Sequence, residues 1–396
     1  MRKKGLLQGI GVNVVLLGLV SFINDVSSDM IFAVLPMFIV SLGGNGIAIG
    51  LIGGLGDTVA GILKVFSGYW SDRIGRRKPF IFWGYLSSSI AKLFFPFAKV
   101  WSNLAILVPI ERFGKGLRTA PRDAVIANST TQEARGKAFG IHRALDTSGA
   151  FIGALGAFVL FWLLKLELKS ILLVAAIIAF FAIVPILFVK EKATTSQQNL
   201  GFKISLKNLP INFKRFVLAA TIFSLSTFTY MFFILKAKTV FGSLFSSRLA
   251  IAIPILLYVW FNIIYALSSI PAGVISDKIG RKKTLILGYF VYSFTCIGFS
   301  LANSLHAFII LFAVYGVSFG LIEGNQRAFA SDFVINNLSG TALGTLHTCV
   351  TLANLPAGII AGLLWNFNPT FTFVYAAIMG VIAIILLTRV SYPKTI

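Results

Sequence analysis

Charged side chains placed inside long apolar runs are the residues here with chemistry to perform. Asp25 and Asp29 lie four residues apart in an apolar run over 12–40, so on a helix they share one face. Lys115, Arg118 and Arg122 are spaced three and four apart over 103–128 and form a basic stripe, with Arg112 beyond it. An ionised group in mid-bilayer costs roughly 2.5–3.5 kcal/mol, so each of these must face a cavity or a partner. At ~1.5 Å of rise per residue, Asp25 lies ~20 Å from the basic end of its helix and Asp29 ~26 Å. On the antiparallel run Lys115 falls at ~20 Å, Arg112 at ~24 Å, Arg118 at ~15 Å and Arg122 at ~9 Å. Asp25 is therefore level with Lys115, and Asp29 with Arg112. A carboxylate stays ionised beside a fixed cation and takes up a proton in a dry pocket, which is what a proton carrier requires. Arginines in such a stripe can also clamp a carboxylate or phosphate bidentately. The second half of the chain carries only Glu323, Arg327, Asp332 and His347 within its apolar runs, so the coupling chemistry is expected in the first half. Asp57 and Lys92, level on two neighbouring runs, read as a structural pair.

The elements that must hold these groups are membrane spans. Of 396 residues, 57% are hydrophobic and 12% charged, half the charged share of an ordinary soluble domain. That composition excludes a cytosolic enzyme, a disordered tail and a disulfide-stapled secreted domain. Twelve segments are long and apolar enough to cross a bilayer: 12–40, 47–71, 79–98, 103–128, 136–164, 170–189, 215–237, 249–276, 284–303, 307–331, 339–365 and 370–388. The first is too long for the apolar region of a signal peptide and carries Asp25 and Asp29, so it is read as a retained span. A formal charge of +22 reports orientation here rather than nucleic-acid binding. Basic residues gather in alternate loops, at Arg73, Arg76, Arg77 and Lys78 and again at Lys278, Arg281, Lys282 and Lys283, while the opposite loops hold few. Both termini are therefore expected in the cytoplasm. The polar stretch 190–214 then links a bundle over 1–189 to one over 215–396. Cys296 and Cys349 lie in apolar runs without metal-type spacing. No H-E-x-x-H, P-loop lysine or nucleophile elbow occurs, so neither an enzyme nor ATP drive is expected, and no cofactor or metal.

The two halves repeat. Gly68-Tyr69-Trp70-Ser71-Asp72-Arg73-Ile74-Gly75-Arg76-Arg77-Lys78 follows the second span, and Gly273-Val274-Ile275-Ser276-Asp277-Lys278-Ile279-Gly280-Arg281-Lys282-Lys283 follows the eighth. Asp72 to Asp277 and Gly75 to Gly280 share one offset, 205 residues. This pattern resembles the loop signature of the major facilitator superfamily. Arg112-Phe113-Gly114-Lys115-Gly116 resembles that family's span-four motif, and Glu133-Ala134-Arg135-Gly136 a common element before span five. The glycine-rich run from Gly149 to Gly156 partly resembles its antiporter motif but lacks the proline.

The resemblance implies an all-α membrane protein of twelve transmembrane helices in two pseudo-symmetric six-helix bundles. It implies a secondary active transporter working by alternating access, with spans 1, 4, 7 and 10 around a central cavity. Asp25 and Asp29 would carry protons, with Arg112 modulating them. Lys115, Arg118, Arg122, Glu323, Tyr230 and Tyr258 would meet the substrate. Gly68, Asp72, Arg73, Gly75, Arg76, Arg77, Glu133, Gly273, Asp277, Gly280 and Arg281 would latch the bundles. In that latch the glycines permit close helix approach, the aspartates cap a neighbouring helix N-terminus, and the arginines pair with acids such as Glu133. The expected partners are the lipid bilayer, a small-molecule substrate and protons, with no nucleic acid, for a monomer in a prokaryotic inner membrane. Proton-coupled efflux is the leading expectation, and symport or exchange of a small anion its alternative.

Overall fold

The computed structural model describes residues 11–131, 134–191, 210–333 and 339–391. Helices account for nearly all of these residues, and none of the described residues forms a β-strand. In chain order they are α1 (Val12–Ser41), α2 (Gly46–Ile74), α3 (Lys78–Phe94), α4 (Trp101–Asn128), α5 (Arg135–Phe158), α6 (Leu168–Phe181) and α7 (Ile183–Leu187). There follow α8 (Ile211–Ser226), α9 (Met231–Leu244), α10 (Leu249–Ile279), α11 (Arg281–Leu301), α12 (Leu305–Ser331), α13 (Ser339–Phe367) and α14 (Pro369–Thr388). Among the described residues, eleven stretches are long and apolar enough to cross a membrane. The 28-residue α4 has the length but too many charges to join them. Its polarity is what the sequence marked as chemistry.

Two expected spans are interrupted. The sixth is α6 followed directly by α7. The seventh, expected as one helix over 215–237, is α8 and α9 separated at Thr227–Tyr230, and it runs on to Leu244. Thr227 turns out of helical geometry while its hydroxyl donates to Ser224 O at 3.2 Å. Such local bonding offers Ser/Thr-rich backbone an alternative to the helix ladder.

Helix ends follow ordinary capping chemistry. Gly75 (φ 72°) and Gly280 (φ 93°) stop α2 and α10 in the left-handed region, which explains why both repeats place glycine there. Ser304 accepts from Ala307 N and Asn368 from Thr370 N at the starts of α12 and α14.

Lipid gives helices no hydrophobic reason to associate, so close contact rests on small residues. The chain forms two compact units. One contains residues 1–32, 62–98 and 106–201, the other 33–61, 99–105 and 202–396. In the first, a Cβ on Gly149 or Gly153 of α5 would lie 2.4 Å from Phe22 O or 2.3 Å from Val26 O of α1. Gly114 of α4 stands equally close to Gly84 O of α3, at 2.4 Å. In the second, the start of α2 joins α13: a Cβ on Gly50 would meet Gly358 O at 1.9 Å, and Thr58 Oγ1 donates to Thr351 O at 3.0 Å. That seam is why residues 33–61 group with the second unit although they precede the linker in sequence.

Candidate functional site

The seating of α5 on α1 brings the Asp146 carboxyl into interaction with that of Asp25. Asn24 Nδ2 donates to Asp25 Oδ1 at 3.0 Å, and the Lys115 ammonium acts on the same carboxyl electrostatically. Arg143 Nη1 reaches Asp146 Oδ2 at 3.2 Å from the preceding turn of α5. Asp29 is buried one turn further along α1.

Ser21 Oγ is the hub of an adjoining network. It accepts from Arg122 Nη1 at 2.8 Å and lies 3.0 Å from His142 Nε2 and 3.4 Å from the Tyr85 hydroxyl. Arg122 also holds Asp123 Oδ1 through Nε and Nη2, at 3.2 and 3.0 Å. This polar network joins four helices, α1, α3, α4 and α5, which also pack through an apolar cluster that includes Val14, Leu17, Ile81, Val125 and Ala138. A buried network of this kind holds its helices firmly only when each member is satisfied.

A second cluster lies deeper. Lys92, 1% exposed, donates to Ser28 Oγ at 2.8 Å, Ser27 Oγ at 3.1 Å and Asn24 Oδ1 at 3.5 Å, all on α1. Asp57, its expected partner, belongs to the other compact unit. Glu111 accepts from Ser88 Oγ at 2.9 Å and lies 3.5 Å from Arg112 Nε. The Arg112 guanidinium covers the Phe32 ring at 4.6 Å. Arg118 departs from its expected place in a ligand-facing stripe. It is buried, its guanidinium lies 4.1 Å over the Tyr85 ring, and Nη1 donates to Gly84 O at 3.3 Å. Gly84 leaves the room on α3 for this side chain to cross, so a residue in register with Lys115 and Arg122 turns toward α3.

In the second unit, Tyr265 Oη donates a short hydrogen bond to Glu323 Oε2, and Arg327 Nη2 donates to Glu323 Oε1 at 2.7 Å. Glu323 lines a cavity of about 140 Å³ with Phe223, Thr227, Phe319 and Gln326. Tyr230 stacks on Tyr258 at 5.2 Å, Tyr258 on Phe261 at 6.1 Å, and Phe261 on Tyr265 at 6.1 Å. Residues 258, 261 and 265 share one face of α10, so an unbroken ladder of rings joins the predicted tyrosines to the predicted glutamate. Tyr258 itself is buried.

Comparison with known proteins fixes the lineage. The family model described as Major Facilitator Superfamily matches residues 17–259 and 216–395. This chain belongs to the major facilitator superfamily. It is 46% identical to an uncharacterised MFS-type transporter of Methanocaldococcus jannaschii, over 95% of this chain and 94% of that protein. It is 22% identical to multidrug resistance protein 2 of Bacillus subtilis, over 92% and 91%. Its fold is similar to the crystal structure of a point mutant of the nucleoside transporter NupG, with a TM-score of 0.82 at 16% identity over 96% and 99% of the two chains. The protein is thus an MFS transporter, a multi-pass integral membrane protein acting on a small-molecule substrate and not an enzyme.

The superfamily's signature loops differ between the halves of this transporter. In the first, Asp72 pairs with Arg77 at 2.7 Å. The cap on α3 comes from Glu191 and not from Asp72: its two carboxylate oxygens accept from Arg77 N at 2.6 Å and Lys78 N at 2.8 Å. Lys78 Nζ closes the end of α7 by donating to Leu187 O and Val189 O, at 2.9 and 2.8 Å. Lys282 Nζ does the same in the second half, at 2.9 Å to Thr388 O and 2.6 Å to Val390 O. Arg281 donates to Ala328 O at 2.9 Å and pairs with Asp332. Arg73, Arg76 and Asp277 are exposed. A Cβ on Gly68 would stand 3.2 Å from Ala120 Cβ, a close approach of α2 to α4. Gly273 makes no such approach: a Cβ would meet nothing within 4 Å, so in this copy close approach is not what the glycine provides. Glu133 lies outside the described residues.

Sequence reasoning missed Asp146, Tyr85, His142, Ser21 and Glu191 as members of these networks. The polar run Asn24-Asp25-Val26-Ser27-Ser28 in an apolar span was the available signal for α1. Nothing local marks Glu191, which ends a loop.

Proposed function

We propose that the transporter is a proton-coupled exporter in which the Asp25–Asp146 pair carries the proton. The supporting observation is the seating of α5 on α1 through Gly149 and Gly153, which puts the Asp146 carboxyl in interaction with that of Asp25. Two neighbouring carboxylates repel when both are ionised, so such a pair is suited to sharing one proton. Lys115 beside Asp25, and Arg143 beside Asp146, are the fixed cations that would take over when the proton leaves. Asp29 and Arg112 would set the charge of the neighbouring turn. Substrate would meet the ring ladder from Tyr230 to Tyr265 and the Glu323 cavity, with Arg122 and Lys115 from the first half.

The bundles over 1–189 and 215–396 would rock about the linker, with the loop-signature residues Asp72, Arg76, Arg77, Asp277 and Arg281 exchanging partners. The basic loops favour cytoplasmic termini in an inner membrane, and we take the working unit to be a monomer. Relatives named as multidrug resistance proteins make lipophilic compounds the first substrates to try. The anion-clamp alternative needs Arg118 and Arg122 together at a ligand, and Arg118 is committed to Tyr85 and Gly84.

The test uses proteoliposomes loaded with a lipophilic cation such as ethidium under an imposed pH gradient. Wild type should release it faster when the outside is acidified relative to the delivery side of protons. Asp146→Asn should remove the gradient dependence as completely as Asp25→Asn does. Gradient-driven flux that survives Asp146→Asn would refute the shared-proton assignment.

A further inference from the structure

A groove of about 740 Å³ runs between α8 and α13 and takes no part in the networks above. Val217, Leu218 and Leu225 form one wall, and Leu352, Ala353 and Pro356 the other. Its lining is apolar along its length. The hydroxyl of Thr221 in the wall already donates to Val217 O at 2.8 Å, so it asks nothing of a ligand. The one charged group in the lining, Lys214, stands at one end, in the first turn of α8. From Phe213 to Leu225 the groove follows twelve residues of helix, ~18 Å. One leaflet of a bilayer core is about 15 Å thick. The groove also continues an interface already described: Thr351, fastened to Thr58 of α2, lies between the groove residues Cys349 and Leu352.

An apolar channel one leaflet long with an ammonium group at its head has the chemistry of a phospholipid site. A solute carried through water would find no hydrogen-bonding partner along it. We propose that this groove binds an anionic phospholipid, one acyl chain along α8 and α13 and the phosphate at Lys214. Arg215, exposed on the next residue, adds to the positive field at that end. A bound chain there would extend the covering of α13 beyond the α2 seam, so the lipid would act on the same helix that the glycine contacts hold.

The half-exposed Cys349 in the groove wall reports occupancy, and the other cysteine, Cys296, is buried. The full-length protein in neutral detergent is titrated with phosphatidylglycerol or with phosphatidylcholine, and the rate of maleimide modification at Cys349 is followed by mass spectrometry. Phosphatidylglycerol should protect at about fivefold lower concentration than phosphatidylcholine, the preference that one basic residue near an anionic headgroup supplies. Lys214→Gln should bring the two lipids level, and Lys214→Arg should keep the preference, which separates charge from folding. Equal protection in wild type would overturn the proposal, as would loss of the preference in both Lys214 variants or its retention in Lys214→Gln. Glycerol phosphate, which has the anion but no chain, should not protect. If it does, the acyl-chain site is wrong.

Discussion

In the first unit, α1, α3, α4 and α5 meet through ionised and hydrogen-bonding groups. In the second, α8, α9, α10, α11 and α12 meet through rings, with Phe223 stacked on Tyr289 at 3.6 Å and Phe233 on Tyr315 at 4.2 Å. The two regions derive from one repeat, and their signature loops still align residue for residue. Their interiors have diverged. Charge can change state with a proton, whereas aromatic faces change little and offer a fixed apolar wall. A duplicated fold thus keeps the joints alike and lets the fillings diverge.

The sharpest way to break this contrast is to remove ionisable groups from one side and rings from the other. Asp25→Asn should bring pH-driven flux down to that of protein-free liposomes, while Tyr258→Phe leaves the gradient dependence intact and alters only the substrate concentration at half-maximal flux. A Tyr258→Phe variant that lost its response to pH would erase the division. Next in size, Glu111→Ala removes the carboxylate that lies 3.5 Å from Arg112 and acts on Lys92, and leaves both cations buried. It should destabilise the folded state by about 3 kcal/mol in a reversible unfolding assay in mixed micelles. Replacing Gly149 by Val forces a side chain onto Phe22 O, and should cost about 2 kcal/mol and weaken coupling together, because the same contact seats Asp146. Tyr265→Phe deletes one hydrogen bond to Glu323 and should shift substrate affinity about fivefold with stability nearly unchanged. Gly273→Ala should be neutral within about 0.5 kcal/mol, a control for the first-half glycine that does pack.

Much of this architecture is legible in the residues. Hydropathy locates the spans, the 205-residue offset gives the duplication, and the left-handed Gly75 and Gly280 account for two of its fixed points. The level of Asp25 with Lys115 follows from helix rise alone. Side-chain direction does not. Arg118 is in register with its neighbours but crosses to α3, because a long flexible side chain goes where Gly84 leaves space. Helix rise puts Asp146 at ~15 Å, level with Arg118 and short of Asp25, and its seat beside Asp25 depends on how closely the glycines of α5 let it approach. The break at Thr227–Tyr230 is invisible to hydropathy, which scores side chains and not backbone geometry. Glu191 caps α3 from a loop more than a hundred residues away in sequence.

The matching lysines at 78 and 282 have a practical corollary. Each fastens the first turn of one helix to the closing carbonyls of another within its own half of the sequence, so a polypeptide severed anywhere in 192–209 would keep both fastenings. What such severed fragments would have to rebuild, as two separate molecules finding each other in the bilayer, is the glycine seam between α2 and α13.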